Sequence, residues 1–246
     1  MTRTDVVRQA VTVAGAVGQA VLPAVLLPRL RDELEVPDVA QPAPYAFSVW
    51  LPIYATTMAY AASQARPAQR GKPVLRAVGS PFAASLVCTA VWAPLLRRRN
   101  YWGAQAALLG TAAFAEQART RLAAAGRRPG PAEWALLELP VGLQAGWGAA
   151  AAAVNLAAML VDRGPSRVRR APAAVGAGTV LAVGLLASSR VAASPPATSG
   201  VYGATVLWAL AGVAAGQRRR HPPVALWAAA AAALVWRTLM RRRARG

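Results

Sequence analysis

The side chains best suited to recognition in this chain are aromatic, and they lie close together. In Gln41-Pro42-Ala43-Pro44-Tyr45-Ala46-Phe47-Ser48-Val49-Trp50-Leu51-Pro52-Ile53-Tyr54, four rings fall within ten residues. Trp50 and Tyr54 are four apart, so on a helix they share a face. Two readings stand side by side. Tyr45 and Phe47 suit an aromatic belt at a membrane surface. Trp50 and Tyr54 lie one to two turns deeper and suit the wall of a pocket. The prolines ahead of them fit a helix start, where the first-turn nitrogens have no partner to lose.

A second stretch, Leu139-Pro140-Val141-Gly142-Leu143-Gln144-Ala145-Gly146-Trp147, runs on to Asn155. Trp147 and Asn155 are eight apart and share a face. Asn155 stands in an apolar run and needs a hydrogen-bond partner on a neighbouring helix or on a ligand. Pro140 invites a kink, and Gly142 with Gly146 lets another helix come close. Helix packing explains this pattern as readily as ligand binding does. Glu138 and Glu116 are acids within or near apolar runs. Such acids either serve a ligand or a proton, or reach back to the membrane surface.

Catalytic chemistry is poorly provided for. There is one histidine, His221, and one cysteine, Cys88, so neither a His/Cys zinc site nor an intrachain disulfide is available. No phosphate-cradling loop, nucleophile elbow or spaced carboxylate pair occurs. The chain reads as a non-enzyme with no metal and no required cofactor.

The elements that must carry these residues follow from hydropathy. Hydrophobic residues make up 56% of the chain and charged residues 15%, against roughly 45–50% and 25% in soluble domains. Eight runs approach the ~20 apolar residues needed to cross a bilayer: 9–28, 45–64, 77–96, 101–118, 133–161, 172–192, 198–217 and 222–240. Several are apolar on every side, as lipid demands. None alternates with the period of a barrel strand. The fold class is all-α, a polytopic transmembrane bundle. The first run also has the look of a secretory signal, but it is long and lacks a clean cleavage site, so it is read as a retained helix.

The net charge is +19, from 28 Lys+Arg against nine acids. The cations sit in clusters between apolar runs, where they meet headgroups rather than nucleic acid. With eight spans, 16 cations fall on the side of the termini and 12 on the other, which puts both termini in the cytoplasm. The first loop, with Asp32, Glu33, Glu35 and Asp38, then faces outward.

Taken together, these segments resemble the TspO/MBR family, the tryptophan-rich sensory proteins related to the mitochondrial translocator protein. Pro44, Tyr45, Phe47, Trp50 and Tyr54 resemble the start of that family's second helix. Leu139-Pro140 through Gly146-Trp147 to Asn155 resembles its fifth. Thr89, Trp92 and Pro94 fall where the third helix carries an Asn-x-x-Trp-Pro-like stretch. Tyr202 with Trp208-Ala209-Leu210-Ala211-Gly212 resembles an extra helix of the longer bacterial branch. The resemblance implies a five-helix core over residues 1–161 and an extension of about three helices over 162–246, in a bacterial cell membrane. It implies a pocket for a porphyrin, another tetrapyrrole or a sterol-like molecule, with Trp50, Tyr54, Trp92 and Trp147 as its wall and Asn155 as a polar contact. Tyr45, Phe47, Thr89 and Glu138 are secondary candidates. The role implied is sensor or regulator. The alternatives are a transporter of such a molecule and a member whose pocket is lost. The partners expected are lipid and a small hydrophobic ligand, and the glycine pairs Gly142/Gly146 and Gly212/Gly216 permit a homodimer. The chain departs from the family pattern at Thr89, where asparagine is expected, and at Gln144, where an aromatic is usual. It has no tryptophan in residues 29–44.

The charge asymmetry is checked with C-terminal reporters. A fusion to a fluorescent protein that matures only in the cytoplasm is expected to fluoresce, and an alkaline phosphatase fusion to stay inactive. The reverse pattern places the termini outside.

Overall fold

The computed structural model describes residues 3–26, 39–126 and 128–244. Eight long helices follow the eight apolar runs: α1 Arg3–Leu26, α2 Trp50–Ala65, α3 Pro73–Arg97, α4 Tyr101–Ala124, α5 Pro131–Arg163, α6 Pro172–Ala193, α7 Pro196–Gln217 and α8 Pro222–Arg243. Among the described residues there is no strand. The acidic stretch of the first loop lies outside the described residues.

The sequence punctuates these helices with few residue types. Proline opens α3, α5, α6, α7 and α8, where its fixed φ is already helical. Asn100 caps α4 by accepting from the Gly103 nitrogen at 2.9 Å. Arginine stands in the last turn of α3, α4, α5, α6 and α8, favourable both to the helix dipole and to headgroups.

Six of the eight helices are long and apolar enough to cross a membrane, α2 and α4 being the other two. α2 has 16 residues, about 24 Å, against a hydrocarbon core of ~30 Å. A 3-10 helix, Pro44–Val49, leads into it. α4 has the length but carries Glu116, Arg119 and Arg121 within it.

The first five helices close a ring in which α1 packs on α2, α2 on α5, α5 on α4, α4 on α3, and α3 on α1. α6, α7 and α8 pack on one another and build a second group against the outside of α5, chiefly through α7. Pro140 deprives the Leu136 carbonyl of its usual donor. The turn before it widens to a π-helix over Trp134–Glu138, with the Leu139 nitrogen reaching the Trp134 carbonyl. The kink expected at Pro140 is therefore taken up by a π-bulge.

Close approach decides the seam between ring and extension. A Cβ on Gly142 would stand 2.7 Å from Val201 Cβ, and one on Gly146 would stand 2.7 Å from the Tyr202 carbonyl oxygen. Gly212 and Gly216 lie equally close to Ala46 and Ala43. Both glycine pairs that offered a dimer surface are thus used inside the chain.

Polar groups tie the helix ends on the side of the termini. Asp5 takes a bidentate contact from Arg76, at 2.7 and 3.1 Å. Arg8 donates to the Leu75 and Arg70 carbonyls. Arg119, 1% exposed, is paired with Glu116 at 2.7 Å, donates to Ser194 Oγ at 2.7 Å and lies 5.0 Å over the Tyr202 ring. Glu116 also meets Arg190 at 3.3 Å. This acid clamps α4 to the extension. Arg242 donates to the Ser194 carbonyl, so both ends of the described chain lie on one side of the bundle.

Gly146→Ala places a methyl within 3 Å of α7 backbone and is expected to lower stability by about 1–3 kcal/mol. Thermal unfolding in detergent, followed by circular dichroism, measures it. An unchanged midpoint contradicts the tight α5/α7 seam.

Candidate functional site

The aromatic residues of the two segments meet where α2, α5 and α7 join, at the end of the bundle away from the termini. Trp50 and Tyr54 stack at 5.3 Å with 23° between their planes. Trp147 meets Trp50 edge-on at 6.1 Å and Phe47 at 5.8 Å. Tyr45 meets Trp208 of α7 at 5.6 Å. These are the offset and edge-on geometries that ring quadrupoles favour. The helix spacing of the sequence produces the first contact. The tertiary fold alone produces the others.

The lead-in from Gln41 to Val49 is held in place by α7. The Ala43 nitrogen donates to the Gly212 carbonyl at 2.8 Å, Trp208 Nε1 to the Ala46 carbonyl at 2.9 Å, and Gln217 Nε2 to the Gln41 carbonyl at 3.0 Å. Trp208 is a residue the sequence marks only as part of an extra helix. Its N–H in an apolar run was the available signal, since an indole donor within a membrane span needs an acceptor in the protein.

Behind the rings lies a cavity of about 40 Å³, lined by Pro42, Phe47, Trp147, Asn155, Val180 and Val213 among others. Trp147 is 4% exposed and its indole nitrogen has no hydrogen-bond partner. The space has the size for about one or two waters and is far below the ~300–1,000 Å³ of a small-molecule site. Asn155 borders it, and its amide donates to its own helix, at the Ala151 carbonyl, 2.8 Å away. Neither a neighbouring helix nor a ligand is needed for that donor, because the i−4 carbonyl lies within reach of the side chain.

Trp92 does not join this cluster. It is half-buried on α3, and the ring neighbours of α3 are α1 and α4. It does not line the cavity beside Trp147. Glu138 is buried, 6% exposed, so it does not reach back to the membrane surface. It sits in the π segment and is engaged within the protein.

What fills the ring is a set of uncharged polar side chains, with each of the five helices contributing. Gln144 Nε2 of α5 donates to Thr89 Oγ1 of α3 at 2.8 Å and to Gln19 Oε1 of α1 at 3.3 Å. Gln19 Nε2 donates to Thr57 Oγ1 of α2 at 2.7 Å. Thr89 and Thr111 of α4 lie 3.1 Å apart, and Ser85 Oγ donates to the Thr111 carbonyl at 2.9 Å. Thr89 and Gln144 are the two positions where the chain departs from the TspO/MBR pattern, and they are bonded to each other. Gln19 diluted the hydropathy of the first run for the same reason it is buried here. Among the described residues no group of three or more His, Cys, Asp or Glu can hold a metal ion.

The Thr89–Gln144 bond is tested by a double-mutant cycle. Thr89→Val leaves the Gln144 amide short of an acceptor and is expected to destabilise, while adding Gln144→Leu recovers part of the loss. The expected coupling is about 0.6 and at most ~1.7 kcal/mol, measured by unfolding in mixed micelles. Additive effects refute the pairing.

Comparison with known proteins yields no curated protein and no solved structure that matches. The family of TSPO-like proteins, by contrast, matches over residues 30–240, a span that takes in α2 to α7 and nearly all of α8, the aromatic junction included. With that span covered, this multi-pass helical membrane protein belongs to the TSPO-like protein family.

Proposed function

We propose that this protein binds a hydrophobic ligand at the aromatic junction and acts as a sensor or regulator rather than as an enzyme. The observation that carries this reading is the Trp147 indole nitrogen, buried without a partner beside a cavity and ringed by Phe47 and Trp50. A buried donor left unmade is costly, and a ligand acceptor relieves it. Residues 1–161 would form the ligand-binding unit, and 162–246 would hold its lead-in shut. A tetrapyrrole does not fit a cavity of this size, so its binding requires residues 41–49 to swing off α7, breaking three hydrogen bonds. Such an opening couples occupancy to the extension, as a sensor requires. The uncharged, filled axis of the ring speaks for sensing over transport. The site of action is a bacterial cell membrane with both termini cytoplasmic, and the native surroundings are lipid.

Titration of purified protein with protoporphyrin, followed by tryptophan fluorescence, tests this. Saturable quenching is expected. The Trp50→Ala/Trp147→Ala variant should bind at least about tenfold more weakly, the equivalent of one lost stacking contact, and Trp92→Ala should bind normally. Trp208→Phe, which removes the donor to Ala46, should speed association. Quenching that does not saturate, or that persists unchanged in the double variant, sinks the proposal.

A further inference from the structure

A much larger cleft lies at the other end of the ring, on the side of the termini. It measures about 990 Å³ and is bounded by the ends of α2 and α4 and the beginnings of α3 and α5. Its floor includes Tyr60 and Gln64, four residues apart on one face of α2. Both are 1% exposed, and neither the Tyr60 hydroxyl nor Gln64 Oε1 has a hydrogen-bond partner. Its wall is apolar, with Leu75 from α3 and Leu137 from α5. At its rim stand Lys72, the only lysine of the chain, and Arg121, which is steadied by a hydrogen bond to the Ala77 carbonyl at 3.0 Å. Both are exposed. Glu133 also lines the cleft and is already engaged within the protein.

These features differ in kind from those of the aromatic junction. The junction cavity is small and uncharged, with the rings of Phe47 and Trp147 among aliphatic side chains. The cleft is wide, aliphatic and cationic at its mouth, with one unused donor and one unused acceptor below. We propose that the cleft is a second site, taking an anionic amphiphile whose phosphate or carboxylate head is held by Lys72 and Arg121 and whose acyl chain lies along the leucine wall. A hydroxyl between head and chain supplies what both buried groups lack, accepting from Tyr60 and donating to Gln64 Oε1. A lysine and an arginine at a mouth flanked by helix ends match the charge of an anionic headgroup. The aliphatic wall matches an acyl chain and offers no flat face for a macrocycle. The volume lies at the upper end for a small-molecule site. The π-bulge contributes as well: it carries Leu136 and Leu137 into the wall, and Leu136 is the residue whose carbonyl loses its usual donor to Pro140.

The shared chemistry has two sources, a lipid of the surrounding leaflet or a soluble single-chain amphiphile, and the test separates them. Radiolabelled oleoyl lysophosphatidate is titrated onto the full chain in phosphatidylcholine nanodiscs. Saturable binding of one molecule per chain is expected. Lys72→Gln/Arg121→Gln, at exposed positions that leave the core intact, should weaken it by about tenfold or more, whereas Lys72→Arg/Arg121→Lys should retain it. Tyr60→Phe, which removes the unpaired hydroxyl without opening a cavity, should weaken binding without loss of stability. Trp50→Ala/Trp147→Ala should leave it unchanged, which separates this site from the aromatic junction. Displacement by diacyl phosphatidylglycerol assigns the occupant to the bilayer. Failure of that lipid to displace assigns it to the soluble amphiphile. Either result upholds the site. Equal binding of zwitterionic lysophosphatidylcholine, competition by inorganic phosphate alone, or indifference to the Lys72/Arg121 pair overturns it.

Discussion

A polar group inside a membrane-spanning bundle has no water to fall back on, so each must find its partner in the protein. The middle of this molecule is organised by that requirement. Gln19, Thr57, Thr89, Thr111 and Gln144 come one from each helix of the ring and are joined by hydrogen bonds. Each helix is thereby fixed in rotation, because turning any one of them would break a bond that lipid cannot replace. The same requirement shapes the ends. Asp5 with Arg76, and Glu116 with Arg119, satisfy charges near the helix termini.

With its axis filled, the ring leaves space at its two ends, and the ends differ in chemistry. At one, aromatic rings from α2 and α5 close over a small cavity, and the chain leading into α2 is fastened to α7. α7 is therefore part of that junction. At the other, Pro140 and the π-bulge before it open an aliphatic cleft with a cationic rim. The buried polar atoms that the bundle leaves without partners include Trp147 Nε1 at the first end and the Tyr60 hydroxyl and Gln64 Oε1 at the second. Gln144 Oε1, in the filled middle of the ring, is another.

Much of the helical framework is legible from residue order, because crossing a bilayer imposes length and apolarity on a contiguous segment. α2 and α4 are the instructive cases. α2 is short and relies on the 3-10 lead-in, and α4 carries charges that are tolerated only because Glu116 and Arg119 find each other and Ser194. The stacking of Trp50 on Tyr54 follows from a four-residue spacing. The partner of Asn155 does not follow from any spacing, since its own helix competes with every neighbour. Trp92 is a good aromatic in a good motif, yet it stands on α3 and does not line the cavity beside Trp147. The glycine pairs correctly marked close approach, but the approaching surface turned out to be α7 and the lead-in.

Sequence by itself determined that the chain is an all-α membrane protein, where its helices run, and which residues are aromatic, small or polar within them. These depend on composition along a single segment. Only the tertiary structure decided that Thr89 and Gln144 pair across the ring, that Trp208 secures the lead-in, that the cavity beside Trp147 is small, and that Tyr60, Gln64, Lys72 and Arg121 border one cleft. Each of these joins residues from different helices, and which helices become neighbours is set by the packing of whole faces rather than by any local pattern.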